Sequence, residues 1–91
     1  MRYEWDEAKR LSNLKKHGVD FADIEEFDWA GAISWIDCRE NYGEERHLAL
    51  GIFRDRIHSV AFTERRGVTR IISFRRAEKR EVRQYEKEKG I

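Results

Sequence analysis

The chain has 91 residues, 41% of them charged and 40% hydrophobic, with a formal net charge of +1. A chain this short hides only about 60% of its unfolded surface, so residues 1–91 make one domain with a small core, and the regular apolar clusters exclude a disordered chain. The single Cys38 excludes an internal disulfide and a cysteine-based zinc site, and no apolar run is long enough for a signal peptide or membrane span; a cytoplasmic protein needing no cofactor or metal is expected.

Arg2 to Trp5 reads as a short edge strand. Asp6 is a good N-cap for a helix over Glu7 to His17, with Glu7 in the first turn, Lys15 and Lys16 in the last, and Gly18 as C-terminal cap. Ala8, Leu11 and Leu14 give that helix a narrow apolar stripe. Asp20 then caps a second helix whose buried face is Phe21, Ile24 and Phe27. Ala32 to Asp37 reads as a strand, and Cys38 to Glu45 as a polar connection. An antiparallel meander follows: Arg46 to Phe53, a turn at Arg54 to Arg56, Ile57 to Glu64, a turn at Arg65 to Gly67, and Val68 to Ala77. Gly51 inside its strand signals a bulge or a close backbone approach. The last element, Ala77 to Lys89, is a polar helix anchored only by Ala77, Val82 and Tyr85. The sum is α+β: two N-terminal helices packed on a twisted antiparallel sheet of four to five strands, plus a C-terminal helix, with one sheet face left free.

The stretch Val68 to Ala77 carries the most chemistry. Its β-branched residues suit a central strand, and strict alternation puts Ile71, Ser73 and Arg75 on one face and Arg70, Ile72 and Phe74 on the other. Charge is segregated along the chain: Asp20 to Glu45 holds nine acidic residues and one basic, Arg65 to Arg83 eight basic and two acidic. A basic C-terminal third points to a polyanion or an acidic protein partner. Forked guanidinium groups on a rigid strand suit phosphate. Arg65 with Arg66 and Arg75 with Arg76 stand at opposite ends of one strand, about 27 Å apart if extended, so one phosphate cage cannot hold all four. The exit pair with Arg70 is assigned to a scissile phosphate, and the turn pair to a passing strand of RNA.

Metal-free RNA cleavage needs a group to take the 2′-hydroxyl proton, a cation for the crowded phosphate, and a donor for the leaving oxygen. His17 has a suitable pKa, and its place at a helix C-terminus pushes it toward the charged form. Glu64 beside Arg65 is a second candidate base. Tyr85 is a candidate stacking group or donor, with a simpler role as an apolar anchor. His47 and His58 lie in the meander. Lys15, Lys16, Arg66, Arg70, Lys79 and Arg80 are candidate RNA contacts. Metalloprotease, nucleotide-hydrolase and serine-hydrolase motifs are absent.

Three runs together, Y-E-W-D-E-A-K-R-L-S-N-L-K-K-H-G-V-D-F (Tyr3 to Phe21), G-E-E-R-H-L-A-L-G (Gly43 to Gly51) and T-E-R-R-G-V-T-R-I-I-S-F-R-R-A with E-V-R-Q-Y-E (Thr63 to Glu86), resemble the BrnT family of toxins. The resemblance covers nearly the whole chain in order and spacing. It implies a RelE/ParE-like fold, a ribonuclease that halts translation, and neutralisation by a BrnA-type antitoxin. It also implies a larger complex, such as two toxins with two antitoxins, that reaches operator DNA through the antitoxin. Lys16 and His17 stand at the K-H-G motif, Glu64 and Arg65 at T-E-R, and Arg75 and Arg76 at S-x-R-R-A. The reliance of RelE-like relatives on arginines, lysines and a late tyrosine is compatible with Arg65, Arg75, Arg76 and Tyr85. Phe74 and the extra Arg66 depart from the pattern. The competing reading is a non-catalytic nucleic-acid or ribosome-binding module acting as corepressor.

Overall fold

The structure is a computed structural model describing residues 1–91. Strand β1 (Arg2–Trp5) leads into helix α1 (Glu7–His17), opened by the Asp6 carboxylate, which accepts the Lys9 N–H at 3.0 Å. Gly18 closes the helix at φ 71°, its N–H donating to the Leu14 carbonyl. The expected second α-helix is instead a 3₁₀ helix over Phe21–Glu26. The physical reason lies in the spacing. Phe21, Ile24 and Phe27 recur at a period of three, and a three-residue turn stacks them on one side where all three are buried. Glu25 and Glu26 also crowd the end where a helix dipole disfavours negative charge.

Strands β2 (Ile33–Ile36), β3 (His47–Phe53), β4 (Arg56–Arg65) and β5 (Val68–Arg76) complete a five-stranded sheet in the order β1-β5-β4-β3-β2. Two sequence expectations are corrected. The sheet is mixed, because β1 pairs parallel with β5, Arg2 opposite Val68 through Trp5 opposite Ile71. The centre is β4, with β5 second from the edge. Both meander turns use two residues at positive φ, Arg54 with Asp55 and Arg66 with Gly67, the conformation a tight hairpin demands. Arg54 is tethered there by Glu26.

A register shift between β4 and β5 at Ala61/Phe62 overturns the strict alternation expected of Val68 to Ala77. Ser73 faces Ala61 while Ile71 faces Phe62, so Ile72 is the extra residue of a β-bulge. The phase slips by one, and Ile71 and Phe74 enter the same core. That core lies between the sheet and the α1 side, joining Val19, Phe21 and Phe27 to Phe53, Val60 and Phe62. Gly51 makes a close approach without a bulge: a Cβ there would stand 2.8 Å from the Phe27 ring and 3.0 Å from the Ala32 Cβ.

Helix α1 does not bury its apolar stripe. Leu11 is 52% and Leu14 37% exposed, and the helix's one buried residue is Asn13. The opposite sheet face, expected to be free, is covered by helix α2 (Lys79–Lys89), whose Glu81 and Tyr85 are buried, as is Leu50 of β3. Its last turn is fastened where the Lys89 ammonium donates to the Gly31 carbonyl at 2.8 Å. No helix is long and apolar enough to cross a membrane.

Candidate functional site

The outer edge of β5 is protected in two parts. β1 covers it as far as Ile71, and beyond the bulge Asn13 of α1 takes over. The Asn13 amide donates to the Phe74 carbonyl at 2.7 Å and the Val19 carbonyl at 3.0 Å, and its oxygen accepts the Phe74 N–H at 3.2 Å. A buried side-chain amide thus stands in for a missing strand. One turn after Asn13, His17 is carried to the neighbourhood of Arg75, the residue after Phe74. Its pKa is lowered, first by burial and then by the charges of Lys16 and Arg75. Those influences run against the helix C-terminus, which favours the charged form of the exposed His17.

Arg75 and Arg76, adjacent in sequence, have different fates. The Arg75 guanidinium is gripped by both Glu81 oxygens, at 2.8 and 3.1 Å, and its pKa is raised chiefly by that bond. Burial pushes the Glu81 carboxyl up, but hydrogen bonds from Arg75 and from the Glu78 N–H prevail and leave it lowered. Glu81 thus ties the first turn of α2 to β5. Arg76 has no carboxylate partner; it lines a groove of about 530 Å³ between the β3–β4 turn and α2, with Arg56, Lys79 and Arg83. None of these four makes an ion pair, whereas several arginines elsewhere are matched: Arg10 by Glu7 and Asp20, Arg54 by Glu26, Arg65 by Glu44, Arg70 by Glu4.

The remaining candidates lie apart. Arg65 pairs with Val68 across the β4–β5 turn, while Arg75 faces Ser59 and Arg76 faces His58. Seven residues of strand, about 23 Å, separate the two ends. Glu64 is exposed and accepts from the Thr69 hydroxyl at 3.4 Å; Arg66 is exposed and unpaired. Lys15 and Lys16 are exposed beside His17, and Arg80 is held at 3.4 Å by Glu78. Tyr85, on the inner face of α2, is 6% exposed. His58 is buried edge-on between Phe53 and Phe74; burial lowers its pKa, and its Nδ1–H donates to the Arg56 carbonyl at 3.0 Å. His47 stacks on Phe62.

Sequence reasoning missed Asn13, Arg56, Glu81 and Arg83, and also the loop around Asp37. That buried carboxylate accepts a guanidinium fork from Arg39 and the Tyr42 hydroxyl, which hold its pKa well below the carboxylate range despite burial. The loop brings Arg39 close enough for its charge to reach Arg75. An Asn in mid-helix and an acid three residues after Glu78 were the available signals. No three His, Cys, Asp or Glu side chains gather as metal ligands.

A family profile described as "Ribonuclease toxin, BrnT, of type II toxin-antitoxin system" matches residues 5–81. The chain belongs to the BrnT family. The match runs from Trp5 through Glu81, so it takes in the Asn13 clamp, the bulged β5 and the first turn of α2. A BrnT chain is the toxin of a type II pair, with ribonuclease activity and an antitoxin partner as the family's properties. A search of curated proteins returns no match.

Proposed function

We propose that this chain is an endoribonuclease that cuts RNA without a metal, by attack of the neighbouring 2′-hydroxyl, at the exit end of β5. The observation that carries the reading is the Asn13 clamp, which fixes α1 on β5 at Phe74 and so brings His17 within range of the charge of Arg75, whose guanidinium Glu81 orients. A neutral His17 accepts the hydroxyl proton. The Arg75 fork, occupied by the Glu81 carboxylate in the free protein, accepts the scissile phosphate in its place, since both are planar sets of oxygens. Arg76, Lys79, Arg80, Lys15 and Lys16 hold flanking phosphates. Glu64, Arg65, Arg66 and Arg70 meet the RNA farther along the strand. Tyr85 reaches the leaving oxygen only when α2 lifts.

A BrnA-type antitoxin restrains the enzyme in the cytoplasm, two toxins with two antitoxins, and the complex reaches operator DNA through the antitoxin. The competing reading, a non-catalytic corepressor, draws support from one observation: Arg75 is already neutralised by Glu81. Incubating the antitoxin-free protein with a defined RNA in EDTA separates the two. Cleavage that persists, leaves 2′,3′-cyclic or 3′-phosphate ends, and falls about 100-fold in His17→Ala supports the enzyme. Loss of cleavage in EDTA, or 5′-phosphate ends, refutes the mechanism; intact RNA with a folded protein favours the corepressor.

A further inference from the structure

The groove beside Arg76 carries positive charge that nothing in the chain balances. Arg56, Arg76, Lys79 and Arg83 rim it, and Asp55 is its one acid. The acids of the N-terminal half reach cations elsewhere, at Arg10, Arg39, Arg54 and Arg65, and leave these four exposed without partners. Beneath the cations the floor is aliphatic: Ile52, Ile57, Ala77 and Val82. Single-stranded nucleic acid is held by basic grooves with aromatic platforms on which bases stack, and no aromatic residue lines this one. Branched aliphatic walls under a basic rim match instead an amphipathic helix, with Leu- or Ile-type side chains at i, i+4 and i+7 and carboxylates flanking them.

We propose that this groove is the docking site of an acidic amphipathic helix of the antitoxin. Its apolar side chains lie on Ile52, Ile57 and Val82, and its carboxylates pair with Arg56, Lys79, Arg83 and Arg76. Arg76 directly follows Arg75, so a helix seated here puts negative charge and bulk against the exit end of β5, and RNA and antitoxin exclude one another. The inference rests on membership of a toxin-antitoxin family and not on the cleavage mechanism. Opposite charges across such an interface speed association and fix register as well as adding affinity.

The test uses the chain with its cognate antitoxin and reads the dissociation constant at near-physiological salt, together with RNA binding by the antitoxin-free chain. Arg56→Glu with Arg83→Glu is expected to weaken the antitoxin complex by about 100-fold or more, as reversal of two interfacial charges should. Arg66→Glu, at the far end of the sheet, should change it less than about threefold. The milder Arg56→Gln with Arg83→Gln pair, at exposed positions, guards against misfolding and should weaken the complex by about tenfold. Unchanged antitoxin affinity in a folded double variant overturns the proposal, as does an equal loss in Arg66→Glu. A double variant that keeps its antitoxin but loses RNA makes the groove a nucleic-acid site and also overturns it.

Discussion

The two ends of the β4–β5 hairpin carry similar sequences and opposite electrostatics. At the turn end, Arg65 lies against Glu44 and Arg70 against Glu4, so the cations there are largely answered within the chain. At the exit end, Arg75 is held by one buried carboxylate on α2, and Arg76 joins three further unpaired cations. A count of arginines cannot tell these ends apart. What distinguishes them is which acid the fold delivers: acids reach the turn end from β1 and from the loop before β3 and pair there, whereas at the exit end only α2 supplies a carboxylate that pairs with the strand.

The sharpest way to break the contrast is Asn13→Ala. It strips partners from the Phe74 N–H and carbonyl and the Val19 carbonyl, and should cost about 2–4 kcal/mol in urea unfolding, because buried backbone groups are left unsatisfied. It should also loosen the placement of His17 relative to Arg75 while leaving the turn end intact.

Acid acts next, and it acts first on the exit end, where His17 and His58 lie. Both have folded pKa values below the ordinary 6.5, so the unfolded chain binds protons more readily. Their contribution is complete above about pH 6.5 and is lost as pH falls through that value toward the folded pKa. The carboxylates held low by guanidinium partners, Asp37 and Glu81 among them, add a second loss below about pH 4.5, their ordinary range. Urea midpoints across pH 7.5 to 4 should therefore fall in two stages, and His58→Gln should flatten the upper one.

The smallest effect belongs to the turn end. Glu44→Gln breaks an exposed pair and should change stability by no more than about 0.5 kcal/mol in the same unfolding assay.

Much of this contrast was legible in the sequence, and the rest depended on contacts that only the fold creates. Helix α1 was readable from Asp6 and Gly18, and the meander from its alternation and its turns. The separation of Arg65 from Arg75 followed from strand rise alone. The 3₁₀ helix was hidden because a period of three resembles an amphipathic helix over six residues. The bulge at Ile72 was hidden because a strand's alternation does not record a partner's extra residue. The parallel pairing of β1 joins residues more than sixty positions apart, and no turn announces it. Within the site, Arg75, Arg76 and His17 were picked out by residue type, but the influence of Arg75 on His17 was not, because a cation across the chain leaves no local mark. Arg56 and Arg83 were overlooked since single arginines in a turn and a helix look like ordinary surface.

One comparison decides whether the exit end is the working end: cleavage of one RNA by Arg75→Ala and by Arg65→Ala, each checked for folding by its unfolding midpoint. The reading of the site predicts that Arg75→Ala retains about 1% of the parent rate, the usual scale for removing a preorganised cation from a transition state, and that Arg65→Ala stays within about threefold. Equal losses in the two variants, or the larger loss in Arg65→Ala, would contradict it.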